Sequence, residues 1–154
     1  TLLSLGDIAF EENKYKQALK YYKQAAKSRS SVTEAKLKLA DTYAKLNNTK
    51  SSLSIYEKVA KKDNTAYEAF YHIALSDPGA ELNYLKKSVA INPNFRDGWI
   101  DLSRVMIEKG NFALAKKYLE NAYYIDGSDF RYYYYQSLLI KKTEEMNRLE
   151  KNNY

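Results

Sequence analysis

Residues 99–122 read WIDLSRVMIEKGNFALAKKYLENA. Apolar side chains recur three and four apart on both sides of the Gly110-Asn111 pair, the spacing of two amphipathic helices joined by a turn. Set against the rest of the chain, the stretch proves to be one copy of four. Leu5, Leu39, Ile73 and Leu102 form a column, and the small residues Gly6, Ala40, Ala74 and Ser103 form the next. In the second half of each copy stand Ala18, Ser52, Glu81 and Ala115, then Tyr22, Tyr56, Leu85 and Leu119, then Ala25, Val59, Ser88 and Ala122. The early columns step by 34, 34 and 29 residues, and the later ones by 34, 29 and 34. One deletion of five residues, between Ala74 and the second helix of the third unit, accounts for both series.

The columns have a packing rationale. Small residues where two helices cross let the backbones approach, and bulky ones fill the gaps beside them. Asn13, Asn47 and Gly110 share the turn column, and these residue types tolerate a left-handed backbone. Proline occurs only at positions 78 and 93 and strand signals are absent, so the expected class is all-α. In the third unit Asp77-Pro78 supplies an N-cap and a first helical residue, which places the start of its second helix there. After Gly127, the segment SDFRYYYYQSLLIKKTEEMNRLEKNNY reads as one more amphipathic helix, capped by Ser128 or Asp129. A stack of repeats needs a polar outer face at its end, and this helix is expected to provide it, with Lys151 to Tyr154 frayed.

The pattern resembles the tetratricopeptide repeat (TPR) family over roughly residues 1 to 127. Trp99, Leu102, Gly110, Phe112, Ala115 and Ala122 in the fourth unit carry the resemblance most fully. Leu5, Gly6, Tyr15, Ala18, Tyr22 and Ala25 carry it in the first. The second unit has Lys36 where a large aromatic is usual and Thr49 in place of the turn's aromatic. The resemblance implies a right-handed superhelical solenoid of antiparallel helix pairs with a C-terminal capping helix. It would be a single domain over residues 1–154, with repeats at about 1–32, 33–66, a shortened 67–94 and 95–128, and the cap at 129–151. It also implies a non-enzymatic scaffold whose first helices line a concave groove that holds a peptide or protein segment.

Composition sets further bounds. Hydrophobic residues make up 45% of 154, and 16 of them are Tyr, so the interior must use amphipathic rings. No apolar run is long enough for a transmembrane helix. There is no Cys, hence no disulfide or thiol chemistry, and the compartment is left open. The opening TLLSLGDIAF, without a starting Met or signal pattern, reads as the interior of a longer sequence.

The net charge of +6 is unevenly spread. First helices, taken as residues 1–13, 33–46, 65–76 and 95–108, sum to about −4, and second helices, taken as 14–29, 50–62, 78–91 and 111–125, to about +11. Lys16, Lys20, Lys23 and Lys27 form one stripe on a single helix. Such a stripe is either a solvated face whose stems cover apolar surface or a docking surface for an acidic protein, an anionic surface or nucleic acid. Nucleic acid is the weaker partner, because no base-reading motif accompanies the charge.

On the first helices, helical projection puts Leu3, Asp7, Phe10, Leu37, Asp41, Tyr71, Leu75, Ile100, Arg104 and Ile107 on the groove side. Glu34, Glu68 and Asp97 open three successive helices, where a carboxylate also favours the helix dipole. An acidic rim around aromatic and aliphatic side chains suits a basic or amphipathic peptide. Some TPR domains clamp a carboxylate with Lys, Arg and Asn in this groove, and the acids here argue against that use. His72, the sole histidine, lies one turn after Glu68, and two ligands do not make a metal site. With no phosphate-binding glycine loop and no nucleophile elbow, neither an enzyme nor a cofactor is expected. Four consecutive rings, Tyr132 to Tyr135, point all around a helix. Two should pack and two should lie outside, which makes Tyr133 and Tyr134 a possible contact for a partner or a second copy.

Overall fold

The computed structural model describes residues 1–28 and 32–152. Among them stand nine α-helices: α1 Leu2–Glu11, α2 Tyr15–Ala25, α3 Val32–Lys45, α4 Thr49–Lys62, α5 Tyr67–Ser76, α6 Glu81–Ile91, α7 Arg96–Glu108, α8 Phe112–Ile125 and α9 Phe130–Asn152. Sequential helices pair in antiparallel fashion. The chain divides into two compact units, residues 1–81 and 82–154, with the boundary in the shortened third hairpin.

Turn chemistry explains the hairpins. Asn13, Asn47 and Gly110 have φ of 59°, 58° and 73°, the left-handed conformation their column predicts. Each turn closes with the same pair of backbone bonds. Asn13 N–H donates to Phe10 and Lys14 N–H to Ala9, and the same relation recurs at Asn47/Asn48 and at Gly110/Asn111. This double closure satisfies carbonyls that a helix end leaves open. A second repeated turn joins one hairpin to the next. The Oδ1 atoms of Asp63, Asn92 and Asp126 accept the N–H of the residue two ahead, at 3.0, 3.1 and 2.9 Å. These three positions step by 29 and 34, the same interval series as the helices.

The third hairpin corrects one expectation. Its second helix begins at Glu81, not at Pro78. Asp77 instead terminates α5 in an extended conformation, and its carboxylate accepts the Gly79 N–H at 3.0 Å. A short polar side chain serves either end of a helix, and here the turn has taken it.

The small columns lie inside as packing requires: Ala18, Ala40, Ala74, Ser103, Ala115 and Ala122 are all buried. Gly6 is needed for close approach, because a Cβ there would stand 2.4 Å from Cε1 of Tyr22. Leu5 is 47% exposed although Ile73 and Leu102 in its column are buried, since no helix among the described residues precedes α1.

The terminal helix departs from the polar cap that was expected. It runs 23 residues and leaves Phe130, Tyr133, Tyr134, Ile140, Met146 and Leu149 exposed. Its cap is Asp129, whose Oδ1 accepts the Arg131 N–H at 2.9 Å.

Candidate functional site

In the first unit, Asp7 and Asp41, the acids expected on the groove side, take part in a ladder. Asp7 accepts a hydrogen bond from the Tyr22 hydroxyl at 2.7 Å and an ion pair from Lys38 Nζ at 2.8 Å. One repeat later, Asp41 accepts from the Tyr56 hydroxyl and faces His72 Nε2 at 3.6 Å. Every member recurs 34 residues on: Asp7 and Asp41, Tyr22 and Tyr56, Lys38 and His72. Each carboxylate therefore ties the second helix of its own hairpin to the first helix of the next.

Burial works against ionisation of Asp7, but the Lys38 and Tyr22 bonds outweigh it and hold the carboxyl below its usual value. Both tyrosines are pushed well above an ordinary phenol, first by burial and then by the carboxylates they face. His72 lies flat on Tyr56, centroids 4.4 Å apart and planes 13° apart, with Tyr71 edge-on at 5.3 Å. Burial lowers its pKa, and Asp41 and Glu68 oppose that only in part.

Beside the ladder a cleft of about 260 Å³ opens between Asp7, Phe10, Glu11, Tyr22, Lys38 and Asp41. Phe10 stands edge-on to Tyr15 at 5.3 Å and, with Leu3, packs partly against the Ala9, Ala18 and Tyr22 core. Glu11 and Glu34 are exposed and form no ion pair among the described residues. Leu37, Glu68 and Tyr71 are half-buried, and Glu68 accepts from the Tyr67 hydroxyl at 3.2 Å.

In the second unit, Asp97 is a fastening residue. It receives Arg131 Nη2 at 2.5 Å, and Arg131 also holds Asp129 at 2.7 Å. Arg96 reaches Asp126 at 2.6 Å and Asp129 at 2.9 Å. The Asp129 carboxylate, 6% exposed, is held down to about 2, chiefly by the Arg131 hydrogen bond. Arg131 lies 34 residues after Asp97. Another pair repeats at the same interval. Trp99 Nε1 donates to the Pro93 carbonyl at 2.8 Å, and the Tyr133 hydroxyl donates to the Gly127 carbonyl at 2.9 Å, each six residues back. By these contacts α9 occupies the place of a first helix.

Two segments, residues 9–74 and 97–129, match the tetratricopeptide repeat family profile. The chain belongs to the tetratricopeptide repeat family. TPR structures align with nearly all of it. MamA residues 41 to the end from Desulfovibrio magneticus RS-1 superpose with a TM-score of 0.71 at 15% identity, over 97% of this chain and 88% of that one. A thermophilic TPR protein of Thermus thermophilus gives 0.64 at 20% identity, over 97% and 83%. YrrB, described as a TPR protein with an unusual peptide-binding site, gives 0.67 at 18% identity, over 93% and 76%. No curated protein matches the sequence. TPR folds are typically non-catalytic and generally mediate contacts between proteins.

Within this TPR protein two residues expected on the groove side, Ile100 and Ile107, are buried. Ile100 is 1% exposed and cannot serve as an open apolar anchor. The reason is that α7 packs against both α8 and α9, so a stripe that projection leaves on one side is covered. Arg104 is engaged with Asp101 at 3.3 Å and Glu108 at 3.0 Å. Lys16, Lys20 and Lys23 are exposed on α2, with Lys23 Nζ 5.5 Å above the Tyr43 ring, whereas Lys27 is exposed in the turn past the helix end, so the four-lysine stripe expected on one helix loses its last member. Tyr133 and Tyr134 are exposed while Tyr132 and Tyr135 are half-buried, the two-and-two division expected of the run.

Sequence reading missed Tyr22, Tyr56 and Lys38 as partners of the groove acids. The signal was present, since the Tyr column and the Asp column keep the same interval, but a column does not say which side chains meet.

Proposed function

We propose that this TPR protein is a non-enzymatic scaffold that binds a basic or amphipathic segment of another protein on the first-helix face of residues 1–81. The observation that carries the reading is the cleft beside Phe10. It gathers three carboxylates, Asp7, Glu11 and Asp41, around a single ammonium, Lys38. Asp7 and Asp41 remain 39% and 43% exposed despite their ladder bonds, so each offers a free lone pair outward. A Lys or Arg side chain entering the cleft would meet net negative charge, with Phe10 and Tyr22 against its stem. Glu34 and Glu68 on the following first helices extend the same preference, with Leu37, Tyr71 and His72 between them. YrrB's described peptide-binding site is consistent with such use of the fold.

Selection from a displayed peptide library tests this. Enriched peptides should carry Lys or Arg beside an apolar residue. Glu11→Lys together with Glu34→Lys leaves the ladder untouched and should weaken those peptides about tenfold or more. Enrichment of acidic peptides, or equal binding by the doubly reversed variant, would overturn the proposal.

A further inference from the structure

The two rungs of the ladder match in every member but one. Asp7 is met by a tyrosine hydroxyl and an ammonium, Asp41 by a tyrosine hydroxyl and an imidazole. Lys38 and His72 hold the same position, 34 residues apart. A lysine is a fixed cation near neutrality, whereas a histidine changes charge between about pH 5 and 8. The first rung is thus closed by charge at any such pH, and the second only when the ring takes a proton. The distances agree with this. Lys38 Nζ lies 2.8 Å from Asp7, but His72 Nε2 stands 3.6 Å from Asp41, beyond hydrogen-bond range. Both His72 and Asp41 are partly open to solvent, at 36% and 43%. The ionisable groups that face the ring are Asp41 from α3, Tyr56 from α4, and Glu68 and Tyr71 from its own helix. Lys38, one turn before Asp41 on α3, is committed to Asp7. The Tyr56 phenol, pushed well above its ordinary value, stays neutral throughout.

We propose, resting on the basic-segment reading of this face, that His72 makes that binding pH-dependent: in acid its imidazolium closes on Asp41, as Lys38 closes on Asp7, and the segment is released. Asp41 lines the Phe10 cleft, so the ring acts on the cleft through it. With neutral His72 the cleft sets three carboxylates against one ammonium. With an imidazolium on Asp41 the same three carboxylates face two cations. A partner's lysine or arginine then meets a carboxylate that already holds a charge, and the attraction falls. Stacking on Tyr56 places this step on the acid side of the ordinary histidine value of 6.5, so near neutrality the groove is open to a basic segment. Linkage requires the converse as well: a basic side chain seated on Asp41 makes the ring harder to protonate.

The probe is an acetylated synthetic peptide of alternating lysine and leucine, titrated onto the full chain at about pH 7.5 and about pH 5. The parent should bind it about fivefold or more weakly at the lower pH, with helicity unchanged. His72→Gln keeps a neutral polar group in place of the ring. It should lose less than about twofold, since Asp and Glu stay largely ionised there. His72→Lys copies the first rung and should bind weakly at both. Saturating peptide should also lower the NMR midpoint of the His72 ring protons, which a peptide bound elsewhere would leave in place. Equal losses in the parent and in His72→Gln would overturn the switch and leave the basic-segment reading standing. A peptide that binds at neither pH would overturn that reading, and the switch with it.

Discussion

His72 sits between opposing influences, and its titration reports which one wins. Burial against Tyr56 disfavours the imidazolium, and the charges of Asp41 and Glu68 favour it without restoring the ordinary value. The fold thus prefers neutral His72. Its contribution to stability is present above the unfolded value near 6.5 and falls as pH drops from there toward the folded pKa. Titration of the ring protons by NMR should give a midpoint below 6.5, and Asp41→Asn should lower it further by removing the nearest charge. At the same scale, Gly6→Ala drives a methyl into the Tyr22 ring and disturbs its bond to Asp7. A loss of about 1–3 kcal/mol in denaturant unfolding is expected. The Gly6 effect is invisible in a column of small residues, which states size but not what lies across from it.

The helix ends carry the next scale. Asp129 caps α9 and, with Arg131, Arg96 and Asp97, fastens it to the start of α7. Its pKa near 2 lies below the unfolded value. The stabilisation is therefore complete above about pH 4 and is lost as pH falls from there through about 2, a contribution on the order of 1–2 kcal/mol. Asp129→Asn should remove most of that acid dependence in urea titrations, and unchanged acid sensitivity would contradict the role. Gly110 holds φ at 73°. Gly110→Ala should cost about 1 kcal/mol by thermal unfolding, whereas Asn47→Gly at the equivalent turn should be close to neutral.

For the whole molecule, burial comes from neighbouring repeats. A core change should register where those neighbours are. Leu102→Ala, at a site with no exposure, is expected to cost about 2–5 kcal/mol. Hydrogen exchange should show the lost protection concentrated in α7, α8 and α9. The charge segregation between first and second helices was legible at this scale, because it needs only the assignment of residues to helices. The withdrawal of Ile100 was not, since it depends on α9 lying against α7.

Periodicity by itself determined the class, the hairpins and the turn residues, because a 34-residue interval of small and bulky side chains suits stacked helix pairs, and the resemblance carried by those columns pointed to the family. It also located the five-residue deletion. The tertiary structure alone decided who partners whom. It turned three presumed groove acids into a ladder and a staple, moved the start of α6 to Glu81, and gave α9 an apolar outer flank in place of a polar one. The physical reason is common to all of these. Repetition along the chain records spacing within a helix pair, whereas hydrogen bonds and burial are fixed by side chains brought from other helices.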